Sequence, residues 1–280
     1  MMQDIGREID QETGVFSSIG RSTNRPMFLD LCMAPGGFSQ FLIDLHPNAE
    51  VCGISLPPSS GGHEMLLNLE GSQVKVQFLD ITMLASEMQT SEKDTLKIPQ
   101  DHPDVGNFRT ARPYLSKTFD LVICDGQVLR THERLEYRER VEARRLFVSQ
   151  LVVSLSRIRP GGAMVVLLHK LETWRNMKLL DVFNKFSYVR LFKPRRRHAL
   201  RSSFYMIATD VQPQNRYASE AVDSWKKAWI AATFGPPEQE SSSEEKVQEV
   251  LNSFGEQYLR LGDPIWYIQK IALERSGFCY

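Results

Sequence analysis

The residues best placed to do chemistry lie in the stretch from Met27 to Gln40, which reads M-F-L-D-L-C-M-A-P-G-G-F-S-Q. An apolar strand there runs into a Pro-Gly-Gly turn, and apolar residues after the turn recur at helical spacing. Gly36 and Gly37 permit a tight turn and let a ligand approach the backbone closely. Because ligands of α/β sheets bind at the carboxyl ends of strands, this stretch predicts a cradle for a nucleotide-like ligand. A strand, turn and helix with no ligand is the alternative interpretation.

Two further strand-like runs end in residues that can exchange protons. F-D-L-V-I-C-D-G reaches Asp125, and V-V-L-L-H-K ends at Lys170. Parallel strands bring their carboxyl ends to one edge of the sheet, so we expect these two side chains to lie near each other. A lysine accepts a proton from a hydroxyl only if its pKa falls, which burial favours and the Asp125 carboxylate opposes. The protonation state of Lys170 stays open, and a structural salt bridge between the two residues is the alternative.

The second and third strand-like runs also end in polar residues. Ser55 ends the second run and can hydrogen-bond a ligand, although without charge assistance. Asp80 ends the third run, in F-L-D-I-T. Its carboxylate is either a ligand contact or the N-cap of a following helix.

The elements that would position these residues alternate between strands and helices. Strand-like runs lie at 28–31, 51–56, 74–79, 119–124, 163–168, 188–192 and 204–208. Several are apolar throughout, which suits a parallel sheet covered by helices, so we predict an α/β, doubly wound fold. One crossover helix is marked by the stripe Phe147, Leu151, Leu155 and Ile158, with Pro160-Gly161-Gly162 ending it. Residues 86–117 are polar, contain three prolines, and predict a long surface loop or lid.

The motif D-L-C-x-A-P-G-G-F-S resembles motif I of the FtsJ-like (RrmJ-type) ribose 2′-O-methyltransferases, and the resemblance covers about residues 20–210. It implies a class I methyltransferase (Rossmann-like) fold: seven mostly parallel strands with helices on both faces, the last strand being inserted antiparallel. It also implies S-adenosylmethionine as cofactor, with Ser55 in place of a ribose-binding acid and Asp80 as acceptor for the adenine amine. The cofactor-binding residues that it implies are Asp30, Ala34, Pro35, Gly36, Gly37, Phe38, Ser55, Asp80 and Asp125.

The same resemblance implies a catalytic tetrad of lysine, aspartate, lysine and glutamate. Asp125 matches the aspartate and Lys170 the second lysine, but no lysine precedes Lys75, and Ser203 stands at the position of the glutamate. Three explanations are open: the chain is truncated before the first lysine, the acceptor is not an RNA ribose, or the protein binds cofactor without catalysis. A general base contributes only about 10²- to 10⁴-fold, so an incomplete tetrad is compatible with methyl transfer.

Charge is uneven along a chain of 280 residues whose net charge is zero. Basic residues cluster between the last two strands, and there Arg195, Arg196, Arg197 and Arg201 are the candidate contacts to RNA phosphates. A second arginine series, from Arg130 to Arg145, alternates with glutamates and predicts a solvated, self-paired helix face. His132 and His169 fall near the expected pocket, where ordinary packing is the favoured interpretation for both.

Composition sets the remaining expectations. The four cysteines, Cys32, Cys52, Cys124 and Cys279, lack metal-ligand spacing, so we expect no metal and reduced thiols. No apolar run reaches the about 20 residues of a membrane span, and the N-terminus lacks a signal pattern. We therefore expect no membrane partner and an intracellular protein, cytoplasmic or nuclear.

Three regions are predicted: an N-terminal helical segment at 1–19, the methyltransferase domain at 20–210, and a C-terminal helical extension at 211–280. The extension contains an acidic linker at 238–249, and its residues Trp225 and Trp229 are interpreted as core packing rather than base stacking. Its segment P-I-W-Y-I-Q-K-I-A-L-E-R is similar to one in fungal FtsJ-like proteins. RNA ribose 2′-O-methylation is the first functional hypothesis, with a cofactor-binding pseudoenzyme or RNA-binding module, or a small-molecule methyltransferase whose extension closes over the acceptor, as alternatives.

Overall fold

Seven strands form one sheet in the computed structural model, which describes residues 1–19, 24–90, 96–129, 132, 134–235 and 243–277. The strands are β1 (Met27–Leu31), β2 (Glu50–Ser55), β3 (Val74–Phe78), β4 (Phe119–Cys124), β5 (Ile158–His169), β6 (Tyr188–Phe192) and β7 (Ser203–Val211). Their order across the sheet is β3-β2-β1-β4-β5-β7-β6. Strand β7 runs antiparallel to β5 and β6, and the other pairs are parallel. The α/β prediction, including the inserted antiparallel last strand, is confirmed.

Helices cover both faces of this sheet. They are α1 (Met2–Thr13), α2 (Val15–Ile19), α3 (Gly37–Leu45), α4 (Glu142–Leu155), α5 (Trp174–Asn184), α6 (Arg216–Phe234) and α7 (Glu244–Arg275). Successive strand residues point to opposite faces, so Phe28 of β1 packs with α1, α2 and α3, whereas Leu29 packs in the cluster that holds α4, α5 and α7. Burial on both faces explains why the strands read as continuous apolar runs.

The prediction for the end of α4 is wrong, because Ile158 and Pro160-Gly161-Gly162 all lie in β5. Helix α4 ends at Leu155, and Ile158 is the first residue of β5, where it pairs with Phe119 of β4. Phe119 N–H donates to the Arg157 carbonyl over 2.9 Å, which ties the start of β5 to the sheet before Pro160 is reached. The apolar spacing could not distinguish a last helical turn from the first residue of a strand.

The described part of the loop between β3 and β4 packs against α6. His102 and Phe108 of this loop pack against Phe234 of α6, and Phe108 also contacts Trp229. Trp229 is fully buried, and Trp225 stacks on Phe183 of α5, so core packing of both tryptophans is confirmed. The loop therefore joins α6 in a small apolar cluster on one flank of the sheet.

The C-terminal extension consists of α6 and α7 as far as the structure describes it. Residues 238–242 of the predicted acidic linker lie outside the described residues, as does Cys279, and 244–249 form the first turns of α7, which Ser243 caps. The side chains of these first turns are largely exposed, as the acidic and polar composition of the segment predicts. Within the described part of the chain, no helix combines the length and apolar character needed to cross a membrane.

Candidate active site

A cavity of about 680 Å³ opens at the carboxyl ends of β1, β2 and β4, next to the point where the strand order reverses. This is the position where open α/β sheets bind ligands. All nine predicted cofactor-binding residues line it: Asp30, Ala34, Pro35, Gly36, Gly37, Phe38, Ser55, Asp80 and Asp125. Separate segments of the sequence therefore converge on one cavity, and the cofactor role of these residues stays a prediction.

Two other parts of the chain, at Met2 and at Leu67, pack against the glycine turn. Gly36 has a φ of 100°, a left-handed conformation that glycine adopts without strain. A Cβ on Gly36 would lie 2.5 Å from Leu67 Cγ, and one on Gly37 would lie 2.6 Å from Met2 Cβ. Leu66 N–H also donates to the Pro35 carbonyl over 3.1 Å. Packing against Leu67 and Met2 thus requires glycine at these positions, in addition to the requirement of the turn. Met2 and Leu67 both line the cavity.

Two carboxyl groups in the cavity lack a cationic partner among the described residues. Burial raises the pKa of Asp30 to about 7, although the Ser39 hydroxyl donates to it over 2.6 Å. Burial and the nearby charge of Asp30 raise the pKa of Asp125 to about 8, and the Tyr205 hydroxyl donates to Asp125 Oδ1 over 3.1 Å. A bound cation would stabilise the ionised forms of these two carboxyl groups and so lower their pKa values.

Ser55 and Asp80 each have structural partners in addition to facing the cavity. Ser55 Oγ accepts from Ala34 N–H over 3.2 Å and so holds the segment that leads into the turn. Asp80 Oδ1 accepts from the backbone N–H and the hydroxyl of Thr82, and Oδ2 accepts from Arg138 over 2.8 Å. The N-cap interpretation of Asp80 is therefore correct, and any contact with a ligand must share these oxygens.

Lys170 and Ser203 lie outside the cavity lining. Lys170 follows β5 at the predicted sheet edge, but its side chain is exposed rather than buried. No Lys170–Asp125 salt bridge forms between these described residues. Ser203 is buried, and its hydroxyl has no hydrogen-bond partner among the described residues. The predicted catalytic roles of both residues rest on the resemblance alone.

The loop from Phe192 to Ser203 carries the basic residues predicted to contact RNA. Arg195, Arg196, Arg197 and Arg201 are exposed, and Arg201 lines the cavity. Helix α1 packs alongside them: Asp4 pairs with Arg197 over 3.2 Å, and Glu8 accepts from Arg195 N–H over 2.9 Å.

Lys193, in the same basic cluster, is buried instead of exposed. Its ammonium donates to the backbone carbonyls of His198, Arg201 and Ser203, and burial lowers its pKa to about 8. The Lys193 side chain therefore organises the loop from inside, while the arginines present their charge to solvent.

The prediction of a solvated face for the second arginine series is wrong for two members. Arg138 and Arg145 are buried, and both pair with Glu142, with a 3.1 Å contact from Arg145. Arg140 is exposed as expected, and Arg130 lies outside the described residues. The pairing of opposite charges was predicted correctly, but its location in the interior was not.

Several cavity residues were not singled out from the sequence as ligand contacts. They include Cys32, His63, Leu67, Arg134, Arg138, Glu142 and His198. His132 lines the cavity, whereas His169 does not. Tyr205 does not line the cavity but donates to Asp125, and the sequence signal for it was strand alternation, which places it on the same face as Ser203. Among the described residues, no group of three or more carboxylate, imidazole or thiol side chains is arranged to hold a metal.

Comparisons with known proteins give one family match. The family model described as FtsJ-like methyltransferase matches residues 7–211, more than half of the chain. No curated protein matches the chain.

Solved structures similar to this chain include a protein described as a ribosomal RNA methyltransferase from Plasmodium falciparum, with 13% identity and a TM-score of 0.43, covering 73% of this chain and 93% of that one. Human methyltransferase-like protein 13, solved with SAH, has 13% identity and a TM-score of 0.42, covering 85% and 99%. The N-methyltransferase NodS from Bradyrhizobium japonicum has 14% identity and a TM-score of 0.42, covering 73% and 97%.

Proposed function

The chain belongs to the FtsJ-like methyltransferase family, and from that premise we propose that it transfers a methyl group from S-adenosylmethionine to the 2′-hydroxyl of an RNA ribose. The observation that carries this proposal is the presence of two carboxyl groups with raised pKa values, Asp30 and Asp125, in a cavity beside the glycine turn. The proposed reaction takes place in the cell, in the cytoplasm or the nucleus.

The cavity suits S-adenosylmethionine in size and in charge. Its volume of about 680 Å³ lies within the range of about 300–1,000 Å³ typical of cofactor pockets. The cofactor carries an ammonium and a sulfonium, and Asp30 and Asp125 are carboxyl groups that ionise more readily next to a cation. The glycine turn and Ser55 would contact the cofactor through backbone and hydroxyl groups, and Asp80 would accept from the adenine amine.

S-adenosylmethionine supplies an electrophilic methyl group on a positively charged sulfur. In the proposed reaction the ribose oxygen forms the new bond to this carbon, the carbon–sulfur bond breaks, and its electron pair stays on sulfur. Tyr205 holds Asp125 through a 3.1 Å hydrogen bond, so the carboxylate keeps a fixed orientation at the reacting centre. Once bound substrate excludes water from its side chain, Lys170 would orient the hydroxyl and, as a desolvated and therefore neutral amine, take up its proton, because catalytic contacts often tighten only when the substrate binds.

The arginine-bearing loop supports RNA as the acceptor. Arg195, Arg196 and Arg197 are exposed next to the cavity-lining residues His198 and Arg201. A strand of RNA lying along this loop would place its phosphates near guanidinium groups while a ribose enters the cavity. Phosphate contacts of this kind give affinity without sequence specificity.

A second candidate function is cofactor binding without transfer. It is favoured by the exposure of Lys170 and by the burial of Ser203 outside the cavity, since these are the positions that the family resemblance assigns to catalysis. A small-molecule acceptor has less support, because none of the described residues of the C-terminal extension lines the cavity.

The direct test is transfer of labelled methyl from S-adenosylmethionine to cellular RNA. We expect label in alkali-resistant dinucleotides, because a 2′-O-methyl group blocks cleavage of the adjacent phosphodiester. Lys170→Ala should lower the rate about 10²- to 10⁴-fold. The matched control is Lys246→Ala, which removes an exposed lysine at the start of α7 and should transfer normally.

The outcomes separate the candidates. Label in the bases would contradict ribose methylation, and cofactor binding without label in RNA would favour the second candidate. Normal transfer by Lys170→Ala would refute the role of this lysine while leaving the function intact.

The affinity for S-adenosylmethionine should depend on pH through Asp30 and Asp125. The two groups have pKa values of about 7 and about 8, and each must lose its proton to stabilise a cationic group of this ligand, its ammonium or its sulfonium. Binding should therefore strengthen as the pH rises from about 6 to about 8.5, by at most about tenfold per unit for each proton released. Titration calorimetry in buffers of different ionisation enthalpy measures that release. A constant affinity in wild type, or an unchanged pH profile in Asp125→Asn, would contradict this assignment.

A further inference from the structure

Helix α6 belongs to the part of the chain beyond residue 211, outside the family match, yet it packs against the cavity wall. It lies along α4 and touches the segment 81–88 that follows β3. Trp229, near its C-terminal end, has no exposed surface. A buried tryptophan usually has a hydrogen-bond acceptor for its indole N–H. The acceptor of Trp229 therefore shows which segment of the chain α6 is bonded to.

The acceptor is the backbone carbonyl of Thr82, 3.0 Å from Trp229 Nε1. Arg145 of α4 donates to the same carbonyl over 3.1 Å, and its guanidinium carbon lies 5.6 Å from the centroid of the Trp229 ring. Two donors from two helices thus converge on one carbonyl oxygen, and the arginine also packs against the tryptophan. The arrangement fixes the backbone of Thr82 from outside the cavity.

Thr82 in turn orients a residue that faces the cavity. Its backbone N–H and hydroxyl donate to Asp80 Oδ1 over 2.9 and 2.7 Å. Arg138 donates to Asp80 Oδ2 and to the Thr82 hydroxyl. Leu79, Asp80, Ile81 and Thr82 all line the cavity. A shift of Thr82 would therefore change the direction of the Asp80 carboxylate.

From these contacts we propose that Trp229 is a positioning residue for the cofactor site, and that α6 adds a second support to the cavity wall that Arg145 of the family domain also holds. Trp229 acts through Thr82 on Asp80 and does not itself line the cavity. This inference rests on the proposed function insofar as it takes S-adenosylmethionine as the ligand.

The test compares Trp229→Phe with Trp225→Phe in the full chain. Trp229→Phe keeps an aromatic ring but removes the N–H, so we expect the affinity for S-adenosylhomocysteine to fall about tenfold, the effect of removing one hydrogen bond. Trp225 lies one helical turn earlier and stacks on Phe183 of α5. The control variant should lose packing and thermal stability but keep the wild-type affinity.

Two additional measurements distinguish positioning from general destabilisation. Adenosine alone should show the same loss of affinity with Trp229→Phe, because the affected wall includes Asp80. Hydrogen exchange at the Thr82 amide should accelerate in Trp229→Phe but not in Trp225→Phe.

Equal ligand affinity of wild type and Trp229→Phe, or an equal loss in both variants, would overturn the inference. Absence of binding by the wild type would instead contradict the proposed function.

Discussion

The arginine-rich segment from Arg134 to Arg145 buries two of its guanidinium groups, whereas the segment from Arg195 to Arg201 keeps all of its arginines exposed. Both segments are dense in positive charge, and both include residues that line the cavity. The difference lies in the anionic groups that the fold brings to each. It shows that charge density alone does not decide whether the arginines of a basic segment form buried ion pairs or stay exposed to a binding partner.

Arg138 meets carboxylates from three parts of the chain. It pairs with Glu142 of its own segment, with Asp80 over 2.8 Å, and with Asp104 over 3.8 Å. Burial of a guanidinium is tolerable only with such partners, because desolvation of an unpaired charge is costly. The second segment meets only Asp4 and Glu8 of α1 among its described contacts with carboxylates, and the Asp4–Arg197 pair is exposed. Its arginines therefore remain available to an anionic partner.

The largest expected effect is that of Arg138→Met. The change leaves Asp80, Asp104 and Glu142 without a shared cation, and breaking a buried pair in this way costs about 3–5 kcal/mol of unfolding free energy. The control is Arg140→Met, an exposed position two residues away, which should change stability by less than about 0.5 kcal/mol. Urea denaturation measures both. Similar losses of stability in the two variants would refute the contrast between buried and exposed arginines.

An intermediate effect is expected for Lys193→Met, at the buried lysine just before the segment from Arg195 to Arg201. Three backbone carbonyls lose their donor, and unsatisfied buried acceptors cost about 1–3 kcal/mol. Burial lowers the pKa of Lys193 from 10.5 to about 8. Between these values the unfolded chain binds more protons than the folded chain, so the stability contributed by Lys193 rises with pH.

The measurement for Lys193 is the difference in unfolding free energy between wild type and Lys193→Met at about pH 7 and about pH 9.5, on either side of the folded-state pKa. The advantage of the wild type should be larger at the higher pH. A difference that shrinks with pH would show that the ammonium is stabilised, rather than desolvated, in this loop.

The smallest effect on stability, and the largest on RNA affinity, is expected for the triple change Arg195→Gln, Arg196→Gln and Arg197→Gln. Stability should change by less than about 0.5 kcal/mol, because exposed pairs contribute little. The dependence of log affinity on log salt should flatten by up to about 2, at about 0.7 for each phosphate that is no longer neutralised.

Filter binding over a range of salt concentrations measures the slope. The matched control replaces Lys246, Arg260 and Lys270 of α7 with glutamine, which removes the same charge from exposed positions elsewhere. Equal changes of slope in the two triple variants would show a general charge effect and remove the RNA assignment from this loop.

Sequence reasoning predicted well those elements whose signal lies within a short window. The bounds of β4 and β6 agree with prediction, because each is a compact run with clear ends. The turn at Pro35 to Gly37 and the helix after it were equally accessible. Ile158 was assigned wrongly because an apolar residue fits both a helical stripe and a strand. The segment P-I-W-Y-I-Q-K-I-A-L-E-R lies in the last helix. Its similarity to a segment of fungal FtsJ-like proteins stays a prediction.

For the site, the sequence indicated which residues lie at the ends of strands, but not which side chains form hydrogen bonds or interact electrostatically with each other. Asp30 and Asp125 could each be assigned to the pocket, yet their raised pKa values arise from burial and, for Asp125, from the charge of Asp30 nearby. The Tyr205 contact with Asp125 spans 80 residues, and the Trp229 contact with Thr82 spans 147. No periodicity within a window indicates such contacts.

What the sequence by itself determined is the succession of strands along the chain, the glycine turn and the set of polar residues at strand ends. These follow from local backbone preference and from apolar periodicity, which are properties of neighbouring residues. Only the tertiary structure decided that Arg138 is buried while Arg195 is exposed, that Lys170 lies outside the cavity lining, and that Trp229 supports the wall carrying Asp80. Burial and electrostatic partnership depend on residues far apart in the chain, and folding alone brings those residues together.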